Sequence, residues 1–260
     1  GAPFGAMLLF STGDLSWRDY YLILTIPALL IAARLLVDEV RQRRKVVENK
    51  PTAIGQLDVE AAICWRRYLV LVSAGALSGF VYGAFMHFLP RYLDTAGLRP
   101  QGWTPESFRN ALAAVVLGCG AIGQGVAGRL CRPGRLELLL VLVLFGNVPP
   151  LLWMAFADGP ERFVAACLLA VIHFMNQPVY NSLIAQHIPA SRRSMGYGFS
   201  NMMCFGIGAF GPYFAGQMGD TAVYGGLAFV ASLAGLCAVC SMVITKPTGL
   251  PVPRSSDDTD

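Results

Sequence analysis

Residues 118–135 read GCGAIGQGVAGRLCRPGR, and the first six letters match G-x-G-x-x-G, the pattern of a dinucleotide-binding turn. That turn needs a strand before the glycines, a helix starting at them, and an acidic residue about 20 positions later. Glu137 stands near that distance, but the preceding FRNALAAVVL carries no turn signal and the apolar run continues to Arg129. We therefore place the glycines inside a helix and interpret Glu137 as a coincidental match.

Charged residues are few and unevenly distributed in this 260-residue chain, which is 55% hydrophobic and 14% charged, with a mean hydropathy of +0.52. A soluble surface needs more charge. A helix of about 20 apolar residues crosses the roughly 30 Å of a bilayer core. Seven stretches lack Asp, Glu, Lys and Arg, and most reach that length: 20–33, 68–90, 110–128, 138–157, 163–191, 194–219 and 221–245.

We therefore expect an all-α integral membrane bundle with about six complete spans plus one partial first span. The partial span is GAPFGAMLLF at residues 1–10, which has neither a Met nor a basic segment before it. It does not resemble a signal peptide, and we expect the chain to be the carboxyl-terminal part of a longer protein. The predicted domains are an amino-terminal piece at 1–37, a basic linker at 38–64, a six-helix bundle at 65–245 and a disordered tail at 246–260.

Basic residues support this topology, because cytoplasmic connections are enriched in Lys and Arg. Fifteen of the 20 lie in alternate connections, in the linker and in the tail. The other side carries only five: Arg18, Arg91, Arg99, Arg109 and Arg162. The linker, the tail and the carboxyl terminus are therefore predicted to be cytoplasmic.

Glycines recur at positions that let membrane helices approach closely, since small residues four apart leave room for a neighbouring backbone. We expect three spans to pack tightly through them. The predicted packing glycines are Gly75, Gly79, Gly83, Gly120, Gly123, Gly208 and Gly211.

Several segments together resemble the carboxyl-terminal half of a major facilitator superfamily transporter, with about one and a half preceding helices. Residues 177–220, QPVYNSLIAQHIPASRRSMGYGFSNMMCFGIGAFGPYFAGQMGD, resemble the tenth and eleventh helices of drug-efflux members, including the fosmidomycin-resistance kind. Residues 15–36 resemble the sixth helix. The loop GRLCRPGR resembles the superfamily's cytoplasmic motif, with Cys131 in place of its acid and Ala127 in place of its leading glycine. The loop residues concerned are Arg129, Cys131, Arg132, Gly134 and Arg135.

The span at 163–191 carries a polar stripe. Its members follow the spacing i, i+3, i+4, i+7, i+8, which puts them on one helical face, and Pro178 beside them is expected to kink the helix. The stripe is predicted to line a substrate path near the midplane; the alternative is that it only bonds neighbouring helices. The stripe is His173, Asn176, Gln177, Tyr180 and Asn181; further candidates are Ser78, Tyr82, Gln124, Asn147 and Asn201.

The resemblance implies secondary active transport of a small organic solute by alternating access, as efflux or antiport in a bacterial inner (plasma) membrane. The implied partners are the substrate, the lipid bilayer, and missing amino-terminal helices supplied in cis or by another chain. A proton is the expected coupling ion, carried by His173 or by an acid in those helices. We expect no cofactor, metal, nucleic acid or enzyme activity.

One other class stays open from the sequence, and a second is disfavoured by it. A non-transporting membrane scaffold, or a split half-transporter that needs a partner, is compatible with the altered loop at Cys131. A seven-helix photoreceptor would need a lysine in its last helix, and residues 222–244 contain none.

Overall fold

The structure, a computed structural model, describes residues 65–244 except residue 133, together with residues 22, 25–26, 29–38 and 40–41. The described residues between 22 and 41 are helical. The predicted partial span at 1–10, nearly all of the linker and the predicted tail lie outside the described residues.

Within residues 65–244 the regular structure is helical wherever the chain is described. A short 3₁₀ helix, Ala190–Arg192, joins the fifth and sixth α-helices. The α-helices are α1 (Trp65–Asp94), α2 (Pro105–Leu130), α3 (Leu136–Gly146), α4 (Val148–Phe156), α5 (Glu161–His187), α6 (Arg193–Gly208), α7 (Phe210–Gly216) and α8 (Asp220–Val243).

Five helical segments are long and apolar enough to cross a membrane, with α3 and α4 together forming one of them. The prediction of an all-α membrane bundle is thereby confirmed. The sixth uncharged stretch, 194–219, is divided at Ala209 between α6 and α7. Pro212 has no N–H to donate to the carbonyl of Gly208, so the regular bonding pattern is interrupted where the two helices meet.

The interior consists of two apolar clusters, one toward each end of the bundle. One cluster contains Tyr92, whose hydroxyl donates to the carbonyl of Met154 at 2.9 Å and whose ring lies 4.7 Å from that of Tyr224. The other surrounds Tyr68, whose hydroxyl donates to the carbonyl of Gly196 at 2.9 Å. Both buried tyrosines thus satisfy their polar end on the backbone of another helix.

Several predicted packing glycines lie where two helix backbones meet. A Cβ on Gly79 would collide with the carbonyl oxygen of Cys204, and one on Gly208 would lie 2.8 Å from the carbonyl oxygen of Gly79. Glycine is therefore the residue that lets α1 lie directly against α6. The remaining five would collide as follows: Gly75 with Tyr180, Gly83 with Gly208, Gly120 with Phe174, Gly123 with Val171 and Gly211 with Phe80.

Other glycines that share the small-residue spacing have open space around them. Nothing described lies within 4 Å of a Cβ built on Gly125, Gly128 or Gly206. The spacing therefore finds candidate contacts, while the positions of neighbouring helices decide which of them are used.

An ion pair closes the end of the bundle at which α1 starts and α8 finishes. Arg67 is only 5% exposed; its Nε donates to the carbonyl of Ser241 at 2.9 Å, and its Nη2 pairs with Glu137. Helices α1, α3 and α8 are joined by this one guanidinium. Glu137, which we interpreted as a coincidental match to a nucleotide motif, thus has a structural partner that the sequence did not reveal.

We expect Gly79→Ala to lower the free energy of unfolding by about 1–3 kcal/mol, because the added methyl forces α1 away from α6. Gly125→Ala is the matched control, since it adds the same methyl in open space and improves helix propensity. Thermal unfolding of both variants in detergent micelles measures the difference. Equal stability of the two variants would contradict the close backbone contact.

We expect Glu137→Gln to destabilise the bundle by about 1–3 kcal/mol, because it leaves the buried Arg67 cation without a counter-charge. Glu106→Gln is the control: its carboxylate lies 3.8 Å from Arg109 and is 79% exposed, and exposed pairs contribute about 0–1 kcal/mol. The same unfolding measurement compares them. A loss no larger than that of the control would show that the pair contributes nothing.

Candidate functional site

A cavity of about 470 Å³ opens between α1, α5 and α6. Its lining contains eight of the ten residues proposed from the sequence. The stripe on α5 supplies five of them, α1 supplies two and α6 supplies one. They are His173, Asn176, Gln177, Tyr180 and Asn181, then Ser78 and Tyr82, then Asn201.

Helical spacing explains why α5 presents so many polar groups at once. The five stripe residues lie within two and a half turns, and all face the same cavity. α5 continues through Pro178 as one helix from Glu161 to His187. Because Pro178 has no N–H, the carbonyl of Phe174 loses its usual helical donor, and Phe174 also lines the cavity.

The stripe also bonds to neighbouring helices, so the packing alternative describes part of its role. The Nδ2 of Asn176 donates to Ser78 Oγ at 2.8 Å. The hydroxyls of Tyr180 and Ser200 are 2.7 Å apart. The Oδ1 of Asn176 is buried and has no partner among the described residues. The site therefore combines satisfied contacts with one buried acceptor that no described group fills.

Two predicted residues, Asn147 and Gln124, contact residues of the lining. Asn147, 2% exposed, has its Oδ1 at 3.1 Å from His173 Nδ1. Gln124 on α2 donates its Nε2 to the Oε1 of Gln177 at 2.7 Å. Both are placed to orient the lining, and neither lines the cavity itself.

Asn147 marks the interruption between α3 and α4. Pro149 and Pro150 follow it and cannot donate backbone bonds. The carbonyl of Val143 loses its usual donor because the backbone N–H of Asn147 bonds the carbonyl of Leu144 at 3.3 Å, and the Nδ2 of Asn147 donates to Val143 at 2.7 Å. The side chain thereby satisfies a carbonyl at the end of α3.

Aromatic rings form one wall of the site. The ring of Tyr82 lies parallel to that of His173, with 9° between the planes and 6.0 Å between centroids. Phe174 meets Tyr82 edge-on at 5.9 Å. Such a wall can hold a flat apolar group by stacking and burial.

Sequence reasoning missed part of the lining. Phe174, Tyr197, Cys204 and Phe205 border the cavity. Those on α6 are Tyr197, four residues before Asn201, and Cys204 and Phe205, three and four residues after it, and this helical spacing was a usable signal.

No Asp, Glu, Lys or Arg lines the described part of this cavity. Among the described residues, no group of three or more His, Cys, Asp and Glu is arranged to hold a metal ion. His173 is the lining group whose unperturbed form changes charge near neutral pH. The described wall is thus polar and without formal charge when that imidazole is neutral.

A comparison with protein-family models matches residues 1–212 to the Major Facilitator Superfamily. The match covers α1 to α6 and the cavity between them. The chain belongs to the major facilitator superfamily. It is therefore an integral membrane protein of a family that carries out membrane transport. No curated protein matches the chain.

The loop that resembles the superfamily motif links α2 to α3. Gly134 adopts a φ of +82°, which glycine accepts without strain, and the N–H of Arg135 donates to the carbonyl of Arg132 at 3.2 Å. Arg129, Arg132 and Arg135 are exposed and form no ion pair with a described residue. The salt-bridge role of the family motif thus has no counterpart among the described contacts of this loop.

Cys131, which replaces the motif's acid, caps the end of α2 and is partly buried. Burial raises the pKa of its thiol, while a hydrogen bond from Ser182 acts in the opposite direction. Cys131 therefore connects the loop to α5 at Ser182, which lies one turn beyond Pro178.

We expect Cys131 to react more slowly with N-ethylmaleimide at neutral pH than an unperturbed cysteine does. A raised pKa leaves less thiolate at a given pH, and the thiolate is the nucleophile. The measurement follows labelling against pH in a variant that retains Cys131 alone, with Ser182→Ala expected to slow it further. Labelling in dodecyl sulfate gives the unfolded control, and equal rates in the two conditions would show that the thiol is unperturbed.

Proposed function

We propose that the chain transports a small organic solute, by secondary active transport with alternating access, through the cavity between α1, α5 and α6. The observation that carries this proposal is the polar face of α5 lining a cavity of about 470 Å³ inside an apolar bundle. Ligand pockets of about 300–1,000 Å³ hold drug-sized molecules. We propose export from the cell, by antiport, as in the drug-efflux and fosmidomycin-resistance members that the sequence resembles.

The contacts between helices support a site whose surrounding helical segments can move. α1 meets α6 backbone to backbone at Gly79 and Gly208, where no side chains interlock. α6 gives way to α7 at Ala209, and α3 gives way to α4 at Asn147. Interruptions of this kind occur near the binding sites of secondary transporters. These features allow segments beside the cavity to shift while the rest of the bundle stays packed.

We also propose that transport of the solute is coupled to the movement of a proton. His173 is the candidate among the described lining residues, because an unperturbed imidazole has a pKa closer to neutral pH than the other side chains that line the cavity. The second candidate is an acid in amino-terminal helices. We propose that such helices, in cis or from another chain, form the opposite wall of the path.

The orientation follows from the basic residues. Arg67, Arg129, Arg132, Arg135 and Arg192 lie at one end of the bundle, while Arg91, Arg99, Arg109 and Arg162 lie at the other. The first group stands in the connections predicted to be cytoplasmic. We therefore propose a bacterial inner membrane location with a cytoplasmic carboxyl terminus.

A second candidate, a non-transporting scaffold or a split half-transporter, is favoured by the loop after α2. Its arginines form no ion pair with described residues, and Cys131 stands in place of the acid. A scaffold would need the bundle but not the cavity, so substitutions in the cavity separate the two.

We expect His173→Ala and Asn176→Ala to weaken transport by about 5- to 100-fold, because each removes a polar contact with the solute. The loss of transport is measured as the export of fosmidomycin and of ethidium from cells that make the intact protein. Ser232→Ala is the control, since that hydroxyl only donates to the carbonyl of Ala228 at 2.9 Å on α8.

The amount of folded protein, measured by size-exclusion chromatography, should be the same for all three variants. Transport at the unsubstituted level by both cavity variants would overturn the assignment of the path. Failure of the unsubstituted protein to export either compound would favour the scaffold.

A further inference from the structure

The hydrogen bonds of Asn147 fix which end of its amide faces His173. Its Nδ2 lies 2.7 Å from the carbonyl oxygen of Val143 and 3.5 Å from that of Leu144. Both carbonyls can only accept, so the NH₂ group must face them. The amide oxygen is consequently the atom at 3.1 Å from His173 Nδ1.

That contact determines which nitrogen of the imidazole carries the proton. An amide oxygen can only accept, so the hydrogen bond requires a proton on His173 Nδ1. In the neutral ring the other nitrogen, Nε2, then carries a lone pair. The neutral ring is favoured here, since His173 is 7% exposed and no described acidic residue lines the cavity with it.

The lone pair on Nε2 remains for the cavity. His173 lines the cavity beside Tyr82, and its hydrogen bond to a described residue is made through Nδ1. We infer that Asn147 is a positioning residue that holds His173 as a fixed acceptor, so that the transported solute presents an N–H or O–H donor beside the Tyr82 ring. This inference rests on the proposed function of the cavity.

Most other lining groups do not fix the ligand in this way. Tyr197 donates its hydroxyl to the carbonyl of Asn181 at 2.9 Å, and Tyr180 shares its proton with Ser200. Asn201 is an exposed amide, which can turn either end toward a ligand, and the Oε1 of Gln177 already accepts from Gln124 at 2.7 Å. His173 is therefore, together with the unfilled Oδ1 of Asn176, an acceptor whose hydrogen-bonding sense is set by the protein.

The first experiment reads the tautomer directly. Full-length protein labelled with ¹⁵N-histidine is reconstituted in lipid nanodiscs, and the imidazole nitrogens are assigned by replacing each of the three histidines in turn with Gln. In the unsubstituted protein we expect the His173 signals to be those of a ring protonated on Nδ1. In Asn147→Leu we expect a larger share of rings protonated on Nε2. A ring protonated on Nε2 in the unsubstituted protein overturns the inference.

The second experiment tests the ligand class with a matched pair of probes. Benzamide carries N–H donors, whereas N,N-dimethylbenzamide keeps the ring and the carbonyl but has none. We expect benzamide to shift the His173 Nε2 signal and to bind about 5- to 100-fold more tightly than the dimethyl probe. Equal binding of the two probes, or no shift with benzamide up to its solubility, overturns the donor requirement.

Matched variants separate positioning from general damage. Asn147→Leu should lose the preference for benzamide, while Ser232→Ala on α8 should keep it. Both readouts work without any transport assay. A protein that exports nothing but shows the expected tautomer and probe preference contradicts the proposed function alone, whereas an exporting protein without them contradicts this inference alone.

Discussion

The fold and the site depend on one constraint: inside hydrocarbon a polar group has no water to bond and must be satisfied by the protein or face a cavity. Helices satisfy the backbone internally, which is why the described chain is built from them. Where a helix is interrupted, a side chain can satisfy a freed carbonyl, as Asn147 does for Val143. The charged Arg67 follows the same rule by reaching both Glu137 and a carbonyl of α8.

Close approach of helices is the second consequence. Apolar side chains gain little from leaving lipid for protein, so membrane helices associate through fit and through short contacts. At Gly79 and Gly208 the fit is between backbones, and α6 runs there without a side chain between it and α1. The same absence of side chains brings Asn201 and Cys204 into the wall opposite α5. Packing glycines thus bring α1 and α6 together beside the cavity.

The sequence predicted those features that depend on one helix at a time. Gaps in charge located the spans, and the spacing from His173 to Asn181 placed five residues on one face because helical periodicity requires it. Features that depend on two helices were not predictable. Arg67 and Glu137 are 70 positions apart, and nothing in either segment indicates the pair. An isolated amide such as Asn147 or Gln124 does not reveal from its own segment whether it faces the cavity or a neighbouring residue.

The chemistry of Asn147 explains why this position needs an amide. The residue must donate to the carbonyl of Val143 and accept from His173 at the same time. Aspartate can accept but has no proton to donate, while leucine fills the space and does neither. A serine hydroxyl could do both, but its single oxygen would have to reach two partners that the amide contacts with atoms on opposite sides. The interruption of the helix and the orientation of the imidazole are therefore satisfied by one side chain, and the cavity is tied to the junction between α3 and α4.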